Sequence, residues 1–197
     1  MNKREVLRSL AEQNNGIIRT ADAALNGISR PTFAAFVEEN GYRRVMRGVY
    51  CSPDSWIDGM YLLQMKRPSA IFSHETALFL HGLTDRDPLF YTVTMKNGSN
   101  PNGLTDQGIC VYTVKKELFD IGITTTKTPY GNDVQVYNIE RTICDIIRKH
   151  NRMDAQVFSE ALNKYVRRKD KDLERLMEYA CDFNVDQTMR QYMQVLL

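Results

Sequence analysis

The sequence predicts an α+β protein, in which an N-terminal winged helix-turn-helix precedes a larger domain with a small, mostly antiparallel sheet and several helices. About fifty residues at the start have the order helix, short helix, turn, helix and β-ribbon. Strand-like alternation then fills the middle of the chain, and amphipathic helices fill the last third. Pro53 closes the first segment, so the predicted domains are residues 1–53 and 54–197.

Composition places the chain among ordinary globular proteins. It has 197 residues, of which 43% are hydrophobic and 25% are charged, which excludes disordered and collagen-like classes. No uncharged apolar run approaches the roughly 18 residues of a membrane span, and the first residues lack the apolar core of a signal peptide. We therefore expect a cytoplasmic protein that does not engage a membrane.

Four cysteines stand far apart in the sequence, at positions 51, 110, 144 and 181. None has a second cysteine within three residues, so neither a zinc knuckle nor a redox pair is indicated. The expectation is four reduced, mostly buried thiols. No metal and no cofactor is predicted.

Two helices open the head, and the second of them is short. Residues 2–14 form the predicted first helix, with Asn2 and Glu5 placed as a capping box. Ile17–Ile18 can pair briefly as a strand. Thr20 is then predicted to cap the short second helix.

The third helix is the predicted recognition helix. Ser29 can cap it, and Pro31 is tolerated in its first turn. One face is apolar and is predicted to be buried: Phe33, Phe36 and Val37. The residues predicted to contact DNA at the helix start are Ser29, Arg30 and Thr32. Base edges are read at this end of a recognition helix, and its free N–H groups also suit a phosphate.

A basic β-ribbon follows, with the sequence GYRRVMRGVYCSP. Arg43, Arg44 and Arg47 lie within five residues and are predicted to bind the DNA backbone or enter the minor groove. Residues 1–52 carry eight basic and five acidic groups, hence +3, whereas the remainder carries −1. The acids Glu38 and Glu39 should point away from phosphate. The alternative is a solvated charged hairpin on a winged helix that binds protein.

The larger region begins with a helix predicted over 55–65, followed by the segment SHETALFLHG, a helix opened by Ser73. Four runs have strand character: 89–95, 109–114, 122–127 and 133–138. Asn138 can cap the next helix. Three further amphipathic segments are predicted to be helical, over 153–168, 171–181 and 187–197, with Asp170 and Asp186 as caps for the last two.

Several polar residues in this region invite a catalytic or metal interpretation. His74 and His81 share a helix face, but they lack the i, i+4 histidine spacing of a zinc protease helix. We predict that they occupy the two helix ends, His81 as a cationic ring that suits the dipole. The strand region offers Asp120, Lys127 and Asp133 without the clustered carboxylates of a nuclease. We therefore predict that Asp120 and Asp133 are acids in turns and that Lys127 lies on the surface.

Two charged features complete the pattern. Arg141 and Asp145 stand at i and i+4 and are predicted to form a structural pair on the helix surface. A mixed-charge run near residue 170 supplies a possible secondary basic patch, consisting of Arg167, Arg168, Lys169 and Lys171. A solvated helix junction is the alternative.

Three stretches, taken in order, carry a resemblance to a known family. The head ends in RVMRGVYCSP, SHETALFLHGLTDRDP follows, and VYNIERTICDIIR comes after the strands. They are similar to the "rGvY" wing, the "S..tAL.lhGL" helix and the "R.T..D..r" helix of the AbiEi antitoxins of type IV toxin–antitoxin systems. These systems are bacterial abortive-infection modules against phage. The resemblance spans essentially the whole chain.

The resemblance implies two functions. The winged helix would bind inverted repeats in the promoter of its own operon, with two copies per operator, and repress transcription. The C-terminal domain would neutralise a cognate toxin of the nucleotidyltransferase type without forming a stable complex. No catalytic residue is carried over. Arg47, with Arg43 and Arg44, maps onto an expected DNA contact.

Two alternatives from other functional classes stay open at this point. One is a metal-dependent nuclease that uses Asp120, Asp133 or the pair His74 and His81. The other is a winged-helix adaptor that binds protein and has no role on DNA.

Overall fold

A computed structural model describes residues 2–196. Met1 and Leu197, which the predicted domains and the last predicted helix include, lie outside the described residues. The chain divides into two compact units. The first comprises the described residues up to Leu63 together with Lys127–Asn132, and the second comprises Gln64–Thr126 and the described residues from Asp133 onward.

The first unit contains the predicted winged helix-turn-helix order. Its elements are α1 (Lys3–Gln13), β1 (Ile17–Arg19), α2 (Thr20–Leu25), α3 (Arg30–Glu39), β2 (Arg43–Met46) and β3 (Val49–Cys51). The strands form an antiparallel sheet in the order β1-β3-β2. The predicted α+β class is confirmed.

Of the helix caps predicted for this unit, that of α1 is confirmed and that of α2 is not. Asn2 caps α1 and Glu5 completes the capping box, since the Asn2 N–H donates to Glu5 Oε2 over 2.8 Å. The predicted cap of α2 is wrong. Arg19 occupies the N-cap position, and Thr20 Oγ1 instead donates to the carbonyl oxygen of Gly48, 2.8 Å away.

The core of the first unit lies between its helices and one sheet face. Its buried residues are Leu7, Ala11, Ile18, Ala23, Ile28, Phe33, Phe36 and Val37. The predicted apolar face of α3 is therefore buried as expected. Phe33 meets the ring of Tyr50 edge-on, with 5.4 Å between the centroids. This contact fixes α3 against β3.

Asp58 is a buried carboxylate that sets the start of the next helix. The predicted helix over 55–65 begins only at Gly59, as α4 (Gly59–Lys66), because Asp58 Oδ1 accepts from the Tyr61 N–H at its first turn. Its other oxygen accepts from Thr128 Oγ1 at 2.5 Å and from Asn132 Nδ2 at 2.8 Å. All of these groups belong to the first unit.

The second unit combines a five-stranded sheet with helices. Its strands are β4 (Ile71–Phe72), β5 (Thr92–Lys96), β6 (Cys110–Val114), β7 (Ile123–Lys127) and β8 (Asp133–Tyr137). Its helices after α4 are α5 (His74–Leu80), α6 (Lys116–Phe119), α7 (Ile139–Arg148), α8 (Ala155–Arg167), α9 (Leu173–Asp182) and α10 (Asp186–Leu196).

The sheet has the strand order β6-β5-β4-β8-β7. β4 pairs antiparallel with β5 but parallel with β8, and β5 pairs parallel with β6. These parallel pairs and strand β4 itself were not predicted from the sequence. A strand of two residues shows no alternation, yet this one connects the two halves of the sheet.

Side-chain caps begin three of the later helices. Asn138 caps α7 as predicted, and Asp154 caps α8. The cap of α9 is Asp172 rather than the predicted Asp170, and Asp186 lies inside α10. Ser73 occupies the N-cap position of α5 without a capping hydrogen bond, because its hydroxyl accepts from Thr94 Oγ1.

The pair Arg141–Asp145 is structural, as predicted, but it is not on the surface. Arg141 is fully buried, and its Nε lies 3.0 Å from Asp145 Oδ2. Its Nη1 donates to two backbone carbonyl oxygens, those of Leu118 and Ile121. The guanidinium carbon lies 4.0 Å from the centroids of two rings, Tyr137 and Phe183. The pair therefore fixes α7 within the core of this unit.

All four thiols are free, and the expectation that most of them are buried is wrong: Cys51 and Cys144 are buried, whereas Cys110 and Cys181 are exposed. Within residues 2–196, none of the helices combines the length and the apolar composition that crossing a membrane requires.

Candidate nucleic-acid interface

The N-terminus of α3 presents one cation and two hydroxyls. Ser29 caps the helix by accepting from the Thr32 N–H, and the two side-chain hydroxyls lie 2.9 Å apart. Arg30 is exposed in the first turn. Of the three predicted contact residues, Arg30 is thus the group free to reach DNA, while Ser29 and Thr32 bond to each other and shape the helix start.

The outer face of α3 is smooth. Ala34 and Ala35 are exposed, and their methyl groups allow a close approach to a groove. The acid at the helix end is neutralised, since Glu39 Oε1 accepts from Arg4 Nη2 of α1 at 2.8 Å. This pairing reduces the repulsion that Glu39 would exert on phosphate. Glu38 remains exposed.

The register of the ribbon separates the wing arginines, all of which are exposed. Arg44 stands opposite Tyr50, the residue that packs on α3, whereas Arg43 stands opposite Cys51. Residues directly opposite each other on antiparallel strands share a face of the sheet. Arg44 therefore lies on the α3 side of the ribbon, and Arg43 lies on the other side.

Arg47 occupies the turn between β2 and β3, next to Gly48. Gly48 has a φ of +75°, and a Cβ added there would lie 2.7 Å from Thr20 Oγ1. The carbonyl oxygen of Gly48 accepts from both the backbone N–H and the hydroxyl of Thr20. The wing tip is thereby fixed to the start of α2. This role of Thr20 was not predicted from the sequence, because a threonine before a short helix has the local signature of a cap.

We predict that Gly48→Ala destabilises the protein more than Gly27→Ala does. Gly27 has a similar φ of +69° with no atom within 4 Å of an added Cβ, so it experiences only the backbone cost. That cost is about 1–2 kcal/mol, and Gly48→Ala adds the displacement of Thr20. Urea unfolding of both variants measures the difference. Equal losses of unfolding free energy would show that Thr20 does not constrain the turn.

Electrostatics favour an anionic partner for the head. Within the described residues, no carboxylate lies within salt-bridge distance of Arg43, Arg44 or Arg47, in contrast to Arg4 and Arg19, which pair with acids. Unpaired guanidinium groups at a wing are available to phosphate.

Two of the four cations in the possible secondary basic patch already have hydrogen-bond partners. Arg168 forms two hydrogen bonds to the Asp170 carboxylate, at 2.7 and 2.9 Å. Lys171 Nζ donates to the backbone carbonyl oxygen of Arg168. Arg167 and Lys169 are exposed. This arrangement favours the alternative of a helix junction.

His74, His81 and Asp120 each have different partners in the structure. His74 is buried at the start of α5, and its ring stacks on Tyr112 with 3.7 Å between centroids. His81 lies at the end of α5 and its Nε2 is 2.7 Å from the carbonyl oxygen of Tyr137. Asp120 is exposed and lies 3.5 Å from Lys96 Nζ. Among residues 2–196, no group of three His, Cys, Asp or Glu side chains could hold a metal ion.

Burial changes the expected charge of the two histidines. It lowers the pKa of His81, so the predicted cationic ring at the helix end is wrong. Burial also lowers the pKa of His74 to about 4. Both rings are therefore neutral at pH 7.

Because His74 protonates more readily in the unfolded chain, we predict a loss of stability in acid. Its contribution is complete above the unfolded pKa of about 6.5 and decreases as the pH falls toward 4. At 1.36 kcal/mol per pKa unit, the loss is on the order of 3 kcal/mol. Urea unfolding between pH 7 and pH 4 measures this slope. His74→Gln should flatten it, whereas His150→Gln, at an exposed position, serves as the control. An unchanged slope in His74→Gln would contradict the assignment.

Comparison with known proteins gives a family match for part of the chain and a solved structure of similar fold. Residues 5–53 match a family described as "Transcriptional regulator, AbiEi antitoxin". The fold is similar to the crystal structure of RV2827C protein from Mycobacterium tuberculosis, with a TM-score of 0.58 and 15% sequence identity. That match covers 89% of this chain and 70% of the other, and at this identity it supports a shared fold alone. No curated protein matches the chain significantly.

Proposed function

We propose, from the match of residues 5–53 to a family of AbiEi antitoxin transcriptional regulators, that the protein represses its own operon by binding inverted repeats in the promoter. The observation that carries this proposal is the unpaired, exposed set of wing arginines beside α3, together with Arg30 at the helix start. Guanidinium groups in this position match the phosphates that flank a major groove.

In the proposed binding mode, α3 enters the major groove. Arg30 reaches a base edge or a phosphate from the first turn, and the small side chains of Ala34 and Ala35 face the bases. Arg44 and Arg47 contact the adjacent backbone or minor groove. Two copies on an inverted repeat would place half-sites one or two helical turns apart.

The proposal divides the chain into a DNA-binding domain, residues 1–53, and a neutralising domain, residues 54–197. The second domain would oppose a nucleotidyltransferase toxin without a stable complex, as the family resemblance implies. No catalytic residue is assigned. The exposed residues Arg167 and Lys169 could extend the DNA contact only if they face the same phosphates as the wing.

The first experiment is fluorescence anisotropy with the protein's own upstream DNA at several salt concentrations, with scrambled DNA of equal length as control. We expect preferential binding to the upstream sequence. The logarithm of affinity should fall with the logarithm of salt by about 0.9 for each phosphate contacted. Equal binding to both DNAs, or a flat salt response, would refute operator recognition and favour the protein-binding adaptor.

A second experiment separates the two proposed activities. It requires that a neighbouring reading frame encode a nucleotidyltransferase. Co-expression of this protein with that toxin should then restore growth, whereas affinity purification should not recover a stable complex. Persistent growth arrest would refute neutralisation while leaving operator binding intact. Incubation of DNA with the protein and Mg²⁺ or Mn²⁺ tests the nuclease alternative. This alternative requires that the DNA is cleaved and that Asp120→Ala or Asp133→Ala abolishes the cleavage.

A further inference from the structure

A cavity of about 380 Å³ opens on the second unit, between the start of α5, the segment before β5, strand β6 and the start of α8. Its volume falls in the range of small-molecule sites, about 300–1,000 Å³. None of its lining residues belongs to the proposed DNA interface. The segment that matches the AbiEi family, residues 5–53, contributes no residue to its lining.

One carboxylate that lines this cavity has an oxygen without a hydrogen-bond partner in the described part of the chain. Glu75 lines it, and Glu75 Oε2 is buried with no hydrogen-bond partner among the described residues. A buried acceptor left without a donor is unfavourable, and more so when it is charged. Burial accordingly raises the pKa of Glu75. Because the Glu75 side chain lines the cavity, a cation bound there would stabilise its carboxylate.

The rim of the cavity is apolar and exposed. Leu89 is 92% exposed and Phe90 is 63% exposed, although both residue types prefer burial. Tyr112 adds a second aromatic ring to the lining. Exposed apolar side chains beside an unsatisfied polar group are typical of a pocket that binds an amphipathic ligand.

The charges around the cavity favour a cation. Three carboxylates and two guanidinium groups line it: Glu75, Asp87, Asp154, Arg86 and Arg152. Arg86 is already engaged, because its Nη1 lies 3.4 Å from Asp154 Oδ1 and its Nη2 bonds to Gln156. The remaining carboxylates, Glu75 and Asp87, outnumber the remaining guanidinium group, that of Arg152. The aromatic rings add a second attraction for a positive charge.

We propose that this cavity is a binding site for a small organic cation, in which a protonated amine donates to Glu75 and an apolar body packs on Leu89 and Phe90. The ammonium group places a positive charge beside the Glu75 carboxylate. The apolar body covers the exposed rim.

Phenethylamine is a suitable probe, with phenethyl alcohol as its neutral isostere and 3-phenylpropionate as its anionic counterpart. We expect titration calorimetry of the full chain at neutral pH to show phenethylamine binding at least tenfold more tightly than either. Glu75→Gln should remove this preference, because the amide cannot pair with the ammonium group. Glu117→Gln, at an exposed acid that does not line the cavity, removes the same charge and should bind like the parent protein.

A second variant keeps the test valid if Glu75→Gln folds poorly. Phe90→Ala alters an exposed side chain, so folding should be preserved, and it should weaken phenethylamine binding severalfold. Absence of binding at millimolar phenethylamine would overturn the proposal. An affinity equal to that of the alcohol, or one unaffected by both Glu75→Gln and Phe90→Ala, would overturn it as well.

Discussion

Replacing Arg44 and Arg47 together by alanine is expected to weaken binding to the upstream DNA about a hundredfold. Both residues are exposed, and Arg44 lies on the α3 side of the ribbon, opposite Tyr50. Hydrogen bonds to charged groups contribute about 1.5–3 kcal/mol each. At the lower end of this range, two lost phosphate contacts cost about 3 kcal/mol, which is roughly a hundredfold in affinity. The slope of log affinity against log salt should also decrease by about 1.8 in magnitude.

Arg43→Ala provides an internal comparison, because Arg43 projects from the opposite face of the same strand, beside Cys51. We expect it to change affinity by less than about threefold, the scale of a screened surface charge. Simultaneous replacement of all three arginines should abolish repression of a reporter gene. Neutralisation of the toxin, assigned to residues 54–197, should be preserved.

Fluorescence anisotropy over a range of salt concentrations measures both effects. Lys115→Ala with Lys116→Ala is the matched control, since both lysines are exposed in the second unit and the pair removes the same charge. Equal losses in this control and in the wing variant would indicate a general charge effect. If Arg43→Ala were as damaging as the wing pair, the assignment of faces from the strand register would be wrong.

The largest stability effect should follow from Arg141→Ala, which we expect to lower the free energy of unfolding by about 3–5 kcal/mol. The substitution leaves Asp145 buried without its cation and removes the donor to two backbone carbonyl oxygens. It also removes the group that lies between the rings of Tyr137 and Phe183. Breaking one partner of a buried pair is costly because an uncompensated charge remains.

Arg148→Ala is the control for this prediction. Arg148 is an exposed arginine at the end of the same helix, so its replacement should change stability by no more than about 0.5 kcal/mol. Urea unfolding followed by circular dichroism compares the two variants, and Asp145→Ala completes a double-mutant cycle with Arg141→Ala. Independent, additive losses in the cycle would show that the two side chains do not act as a pair.

The head was largely predictable because its signals are local. A capping box, a serine cap followed by proline, and a glycine turn between two short β-runs each depend on neighbours within about four residues. These signals located α1, α3 and the ribbon correctly. The basic residues of the candidate interface are also evident from the sequence.

Local signals failed where a side chain finds a distant partner. Thr20 has the signature of a cap, yet its hydroxyl binds the wing turn 28 residues away. Asp58 delays the start of α4 and binds Thr128 and Asn132, more than 70 positions later in one case. Neither pairing leaves a trace in the sequence around the residue itself.

The α+β class, the order of the head and the location of its positive charge follow from the amino-acid sequence, since these depend on periodicity, capping and composition. The sides on which the arginines lie follow from the fold, because a strand alternates its side chains and the register selects their neighbours. The fold also decided that Arg141 and Asp145 are buried and that β4 joins the sheet by a parallel pair. Burial and long-range pairing depend on packing between distant segments, which no local pattern encodes.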